Sequence, residues 1–284
     1  MSSIKNNLED QNIAVVGLGL MGGSLAMALH GQCKSISGLD TDSESVRYAE
    51  KKGIVDRAST MPDEILSEAT VIILACPVTQ ILKWIEELPR FISQRCVVLD
   101  LGSTKAQIIS KMDKMPQNFD PLGGHPICGK EKLSIKNSEK GLFTDAPFVL
   151  VRSKNTTTKG EGIANEIIDV IGAEPIWMEA DDHDRALAAT SHLPFLVASS
   201  LALGLEKANE ALTGPGLRST TRLAATPASM MLDVLTTNRE NILEKVRQFR
   251  SNLDLLSSAL EAGDDNALTE LLTSATSNRN SLIS

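Results

Sequence analysis

Over the first 178 residues, short runs that are apolar throughout alternate with amphipathic stretches. The runs at 13–16, 36–39, 71–75, 97–99, 148–151 and 175–178 predict strands, and most of the segments between them predict helices. Strands without a polar face must be covered on both sides, and strand–helix alternation calls for right-handed crossovers, so the pattern predicts a largely parallel sheet in a doubly wound α/β domain. After Met178 the strand signal stops, and 180–211, 218–225, 227–237, 238–262 and 264–277 carry helical spacing. Thr213-Gly214-Pro215-Gly216, Thr226-Pro227 and Ala262-Gly263-Asp264 punctuate them. The reading is two domains, 1–178 and 179–284, the second all-α. In that second part Leu201, Leu203 and Leu205, and later Val234, Ile242, Val246, Leu253 and Leu260, form apolar stripes. A domain of about a hundred residues hardly buries them all alone. An intersubunit helical interface would absorb the surplus; a purely intramolecular core is the alternative.

The chain has 284 residues, 42% of them hydrophobic and 23% charged, which suits a globular protein and excludes disordered or collagen-like architecture. Thirty-six acidic against 28 basic residues give a net charge of -8, so no broad basic face is expected for nucleic acid. No contiguous apolar run approaches the roughly 20 residues that cross a bilayer, and positions 1–11 lack the apolar core of a signal peptide. The expectation is a cytoplasmic protein with no membrane partner. Cys33, Cys76, Cys96 and Cys128 are scattered, with no pair spaced for a zinc site or disulfide scaffold, and are read as reduced thiols. No metal is expected.

Gly17-Leu18-Gly19-Leu20-Met21-Gly22 follows the first strand and opens a helix within a βαβ unit. In that setting Gly17 permits a tight turn, Gly19 lets the backbone approach a pyrophosphate, and Gly22 allows close helix packing, with the anion at the helix N-terminus. Asp40 stands 18 residues beyond Gly22 at the end of the second strand, placed to accept hydrogen bonds from an adenosine ribose diol. A 2′-phosphate there would meet Asp40 and Asp42, which favours NAD over NADP. This is a Rossmann-type dinucleotide site.

Three further segments hold residues suited to hydride chemistry: Asp100-Leu101-Gly102-Ser103-Thr104-Lys105 after a parallel strand, Gly123-Gly124-His125-Pro126, and Ser191-His192-Leu193-Pro194. Loops at strand C-termini face the ligand crevice. Two of the four histidines, His125 and His192, sit in junctions whose prolines restrict the backbone, whereas His30 and His183 have no such setting. Thr104 and Lys105 read as the cap and first turn of the next helix.

Over nearly its full length the chain resembles the prephenate and arogenate dehydrogenases of tyrosine biosynthesis. The resemblance rests on the glycine loop through Gly23-Ser24, the Asp100–Lys105 segment, Gly123-Gly124-His125-Pro126-Ile127-Cys128-Gly129, Asp182-His183-Asp184, Ser191-His192-Leu193-Pro194 and Thr221-Arg222-Leu223, in that order. It implies an N-terminal dinucleotide-binding domain, a C-terminal helical domain that makes a homodimer, and an active site between them that takes a small-molecule substrate. The implied reaction is oxidative decarboxylation. Carried over residue by residue, His125 meets the 4-hydroxyl of the cyclohexadienol as general base, Ser103 orients that histidine and the nicotinamide, and His192 and Arg222 hold the substrate. Gly17, Gly19, Leu20, Met21, Gly22, Asp40 and Pro77 form the expected cofactor-binding set. A neutral imidazole suits the proton, and a planar guanidinium suits a carboxylate.

Three positions depart from the family pattern. Lys130-Glu131-Lys132-Leu133 replaces a Thr-Glu-Lys-Ser-like run, Ser219 stands where an aspartate is frequent, and Phe195 replaces a histidine of some relatives. Two other readings compete. A β-hydroxyacid dehydrogenase shares the loop and the helical domain but would use a lysine, Lys207 or Lys245, as its acid–base group. A non-catalytic NAD-binding dimeric sensor would leave His125, His192 and Arg222 without a role.

Overall fold

The structure, a computed structural model, describes residues 8–130, 132 and 134–282. Eight strands form one sheet in the order β3-β2-β1-β4-β5-β6-β7-β8. They are β1 (Asn12–Val16), β2 (Ser35–Leu39), β3 (Arg57–Ser59), β4 (Val71–Leu74), β5 (Cys96–Asp100), β6 (Phe119–Pro126), β7 (Pro147–Arg152) and β8 (Glu174–Trp177). All neighbours pair in parallel except β6 and β7. Six helices belong to this half: α1 (Leu20–Leu29), α2 (Ser43–Lys51), α3 (Pro62–Leu66), α4 (Val78–Glu87), α5 (Ala106–Met112) and α6 (Thr158–Ile171). Every residue of β4 and β5 is buried, which is why those strands read as unbroken apolar runs.

Two strands escaped the hydrophobic pattern. β3 is only three residues long, and β6 is Phe-Asp-Pro-Leu-Gly-Gly-His-Pro, whose glycines and prolines signal a junction. β6 is nonetheless a central strand, and His125 lies in it rather than in a loop. Gly124 is required there, because a Cβ would come within 2.6 Å of the Asp100 carbonyl oxygen and 2.9 Å of the Phe148 ring.

The helical half comprises α7 (Ala180–Leu187), α8 (Leu193–Leu203), α9 (Pro215–Thr221), α10 (Ala228–Thr237), α11 (Arg239–Ala262) and α12 (Asp265–Leu282). The expected helix over 180–211 runs only to Leu203 and is distorted on the way. Pro194 has no N–H to donate back, and a π turn, Ala188–His192, joins α7 to α8 there. A 3-10 turn, Lys207–Leu212, follows after Gly204. Counted through its π turn, Ala180–Leu203 is nevertheless 24 residues and apolar enough, by length and composition only, to cross a membrane. The expectation that no stretch approaches that length is corrected: polar residues at 190–192 interrupt the apolar run without interrupting the helix.

Candidate functional site

β1 pairs with β2 on one side and β4 on the other, so the strand order reverses beside β1 and opens a crevice at the strand C-termini. A cavity of about 560 Å³ occupies it. Gly17, Gly19, Leu20, Met21, Asp40 and Pro77 all line the wall, as does Ser103. The helical half closes the cavity from above with Ser229, Met230, Asp233 and Val234. A second cavity, of about 330 Å³, lies by the start of β5 and β6 and is lined by none of the expected site residues.

The glycine loop is built for close approach. Gly17 has φ +98°, a left-handed conformation, and a Cβ on it would lie 2.7 Å from the Ala75 carbonyl oxygen. Gly22 sits off the cavity wall, where a Cβ would lie 1.9 Å from the Gly17 carbonyl oxygen, so it packs the helix against its own loop. α1 opens at Leu20 with no side chain capping it and no acidic residue in its first turn, leaving an N-terminus suited to a pyrophosphate. Asp40 accepts hydrogen bonds from Leu18 N at 2.6 Å and Asp42 N at 2.8 Å. One lone pair on each oxygen remains for a diol. The loop, the acid and the cavity therefore fit a dinucleotide.

The chemistry lies one strand over. Leu99 of β5 pairs with Leu122 of β6, so the end of β6 carrying His125 runs beside the loop that holds Ser103. His125 is half-buried, and its Nδ1 lies 2.8 Å from Nε2 of His183 on α7. His183 is fully buried, with Nδ1 2.8 Å from Asp184 Oδ1. Asp184 also accepts from Lys105 N at 2.7 Å and Ala106 N at 2.9 Å, so a carboxylate of the helical half caps α5. The expected orienting bond from Ser103 to His125 is absent among the described residues. His183, which the sequence reading left without a role, holds the ring instead.

Lys105 is likewise more than a first-turn residue. It has no solvent exposure, ion-pairs with the equally buried Asp100, and donates from Nζ to the Gly124 carbonyl oxygen at 2.8 Å. Asp100 also accepts from Gly102 N at 2.7 Å and Gly124 N at 3.3 Å. Burial pushes the Asp100 carboxyl up and the Lys105 ammonium down, and their mutual attraction opposes both shifts. This pair braces the strand that carries His125.

His192, in the π turn, is buried. Asn238 Nδ2 reaches its Nδ1 at 3.2 Å and the Asp184 carbonyl oxygen at 2.7 Å. A carbonyl needs a donor, so the amide nitrogen is fixed as donor, Nδ1 of His192 accepts, and Nε2 carries the proton. Burial lowers His192 to about 4, partly offset by the nearby Asp184 charge. Burial also holds His125 well below its ordinary value, and His183, Lys105 and His192 close by oppose a further positive charge on its ring. Both rings are neutral at pH 7. Three of the four histidines thus gather at the seam between the halves, while His30 bonds Asp56 on the surface. The cluster does not make a metal cage among the described residues, since its groups bond one another in series.

Arg222 is exposed in a 3-10 turn, Arg222–Ala225; its backbone N–H donates to the Ser219 carbonyl oxygen, and its guanidinium makes no hydrogen bond or ion pair with a described residue. Neither it, His125 nor His192 lines the cavity itself. Of the departures from the family pattern, Lys130 is paired with Glu139 at 2.6 Å, and the Ser219 hydroxyl donates to the Gly216 carbonyl oxygen of its own helix. Glu131 and Leu133 lie outside the described residues. Burial raises the Cys76 thiol on the cavity wall to about 12, so it is a thiol and no ready nucleophile.

Two family models match, described as "Prephenate dehydrogenase, nucleotide-binding domain" over residues 25–176 and "Prephenate dehydrogenase, dimerization domain" over 179–274. Prephenate dehydrogenase of Bacillus subtilis is 29% identical over 269 residues, 91% of this chain and 72% of that protein. Prephenate dehydrogenase from A. aeolicus, solved with hydroxyphenyl propionate and NAD+, superposes with a TM-score of 0.88 at 26% identity, covering 96% of this chain and 98% of the other. Synechocystis arogenate dehydrogenase superposes with a TM-score of 0.82 at 26% identity, over 96% and 100% of the two chains.

Proposed function

The chain belongs to the prephenate dehydrogenase family, and from that premise we propose that it is an NAD(P)-dependent enzyme that oxidatively decarboxylates prephenate or arogenate, with His125 as its general base. The observation that carries this reading is the neutral imidazole at the end of β6, the strand next to β5, whose C-terminal loop brings Ser103 to the wall of the cavity that fits a dinucleotide.

The bound dinucleotide supplies the acceptor for the hydride that leaves ring C4. His125 Nε2, which no described residue bonds, takes the proton of the 4-hydroxyl as that carbon becomes a carbonyl. Loss of the ring carboxylate as carbon dioxide makes the ring aromatic, and the proton returns from His125 to the phenolate oxygen. No net proton is released, so a neutral base that accepts and gives back is what the reaction needs. His192 offers Nε2–H to one substrate carboxylate, and the unpaired guanidinium of Arg222 holds the other. Ser103, on the cavity wall, would hold the nicotinamide end of the cofactor. Asp40 supports NAD over NADP by repelling a 2′-phosphate.

The helical half makes the subunit contact of a homodimer. The family description of that domain supports this, as do the leucines left in solvent on it. The β-hydroxyacid dehydrogenase reading is not favoured, since both family models that match are those of prephenate dehydrogenase.

The test is a turnover assay of prephenate and arogenate, each with NAD+ and with NADP+. We expect reduced nicotinamide and carbon dioxide in equal amounts with at least one substrate, and faster turnover with NAD+. Absence of reduced nicotinamide in every combination overturns the assignment.

A further inference from the structure

Resting on the reading of His125 as the proton acceptor, we infer that His183 and Asp184 are a positioning pair that sets the tautomer of His125, keeping its proton on Nδ1 and its lone pair on Nε2. The deduction starts at the carboxylate. Asp184 accepts from Lys105 N and Ala106 N, and a carboxylate has no proton to give, so the 2.8 Å contact with His183 Nδ1 requires that nitrogen to donate. A neutral imidazole carries one N–H, which leaves His183 Nε2 as an acceptor. Its partner at 2.8 Å is His125 Nδ1, which must therefore donate. Each link leaves one choice for the next.

The arrangement matters because the other tautomer is useless. With the proton on Nε2, His125 would present a donor to the substrate hydroxyl and could not accept from it. A second proton on His183 would reverse the last link with the same result. The groups around His125 bear on this: Lys105 from the start of α5, paired with Asp100 at the end of β5, His183 from α7, paired with Asp184, and His192 from the π turn. As the hydroxyl proton arrives at Nε2, positive charge develops on the His125 ring. The bond from Nδ1 to His183 then becomes charge-assisted, with the Asp184 carboxylate one link further on. No proton leaves His183 or Asp184, so the pair orients and stabilises without entering the stoichiometry.

The experiment reads the tautomer directly. The chain is prepared with 15N-labelled histidine imidazoles, and long-range 1H–15N spectra are recorded near pH 7, with His125→Asn assigning the ring. We expect Nδ1 of His125 protonated and Nε2 bare in the wild type. His183→Gln, whose side-chain carbonyl can still accept from Nδ1, is expected to keep that tautomer and hold kcat within about threefold. His183→Leu is expected to move the proton to Nε2 and lower kcat roughly 10- to 100-fold, with both KM values within about twofold. A proton on Nε2 in the wild type overturns the inference, as does a His183→Leu variant with wild-type kcat. The wild-type spectrum decides even if the leucine variant does not fold. It also needs no substrate, so a correct tautomer without turnover would overturn the proposed reaction and leave the positioning pair standing.

Discussion

The two halves of the chain satisfy their apolar residues in different ways. In the sheet half, two hydrophobic clusters cover the two faces of the sheet, and all their buried members lie at or before Ile171. In the helical half the buried apolar residues among those described are Ala188, Ala198, Met231, Val234, Ile242 and Ala259. Leu203, Leu212 and Leu260 meanwhile stand 89%, 86% and 70% exposed. The sheet half closes its own core; the helical half presents amphipathic helices with more apolar surface than one chain covers. What the helical half gives the other is polar. Asp184 caps α5, Asp233 accepts from Thr79 N at 3.1 Å and Thr79 Oγ1 at 2.8 Å near the start of α4, and Thr237 bonds Thr104 at 2.8 Å. It contributes little to the core of the sheet and much to the placement of the reacting groups.

This contrast breaks most sharply at Lys105. Lys105→Met leaves the Asp100 carboxyl buried without its cation, and we expect a loss of about 3–5 kcal/mol in denaturant unfolding that does not depend on protein concentration. An unchanged midpoint would mean that the pair is not part of what holds the sheet half together.

The seam between the halves is the acid-sensitive region. His192 titrates near 4 in the folded protein against an ordinary value of about 6.5, so between those values the unfolded chain binds a proton that the folded chain refuses. Stability therefore falls as pH drops through that window. His192 accounts for about 3 kcal/mol of the fall, and His125 acts in the same direction. Unfolding followed from pH 7 to pH 4 should show a steeper decline in the wild type than in His192→Gln; parallel curves would show that His192 is protonated while folded.

The smallest effect on the chain itself should come from its barest leucines. Leu203→Glu with Leu212→Glu is expected to weaken self-association in sedimentation while changing folding at low protein concentration by no more than about 0.5 kcal/mol. A dimer of undiminished affinity would place the subunit contact elsewhere.

Local pattern carried much of this molecule. Unbroken apolar runs marked the buried strands β1, β4, β5 and β7, a run interrupted by Ser37 and Gly38 marked β2, the same signal marked the more exposed edge strand β8, and helical spacing marked the second half. The glycine loop, Asp40 and Ser103 were legible too, because residues at strand C-termini in a doubly wound sheet share one crevice whatever the rest of the chain does. β6 was hidden because Gly124 is demanded by the Asp100 backbone and the Phe148 ring, while Gly123 packs against Ile109, Lys105 and Val151, all of them neighbours across the sheet rather than along the chain. The same holds for the partners of His125. Asp182-His183-Asp184 is an ordinary polar helix start when read alone, and Lys105 an ordinary first-turn residue of the next helix. The sequence by itself thus determined the elements and the cofactor crevice, which depend on periodicity and short-range turns. Only the tertiary structure decided which buried polar groups meet, because a hydrogen bond between His125 and His183, 58 positions apart, depends on how β6 and α7 pack.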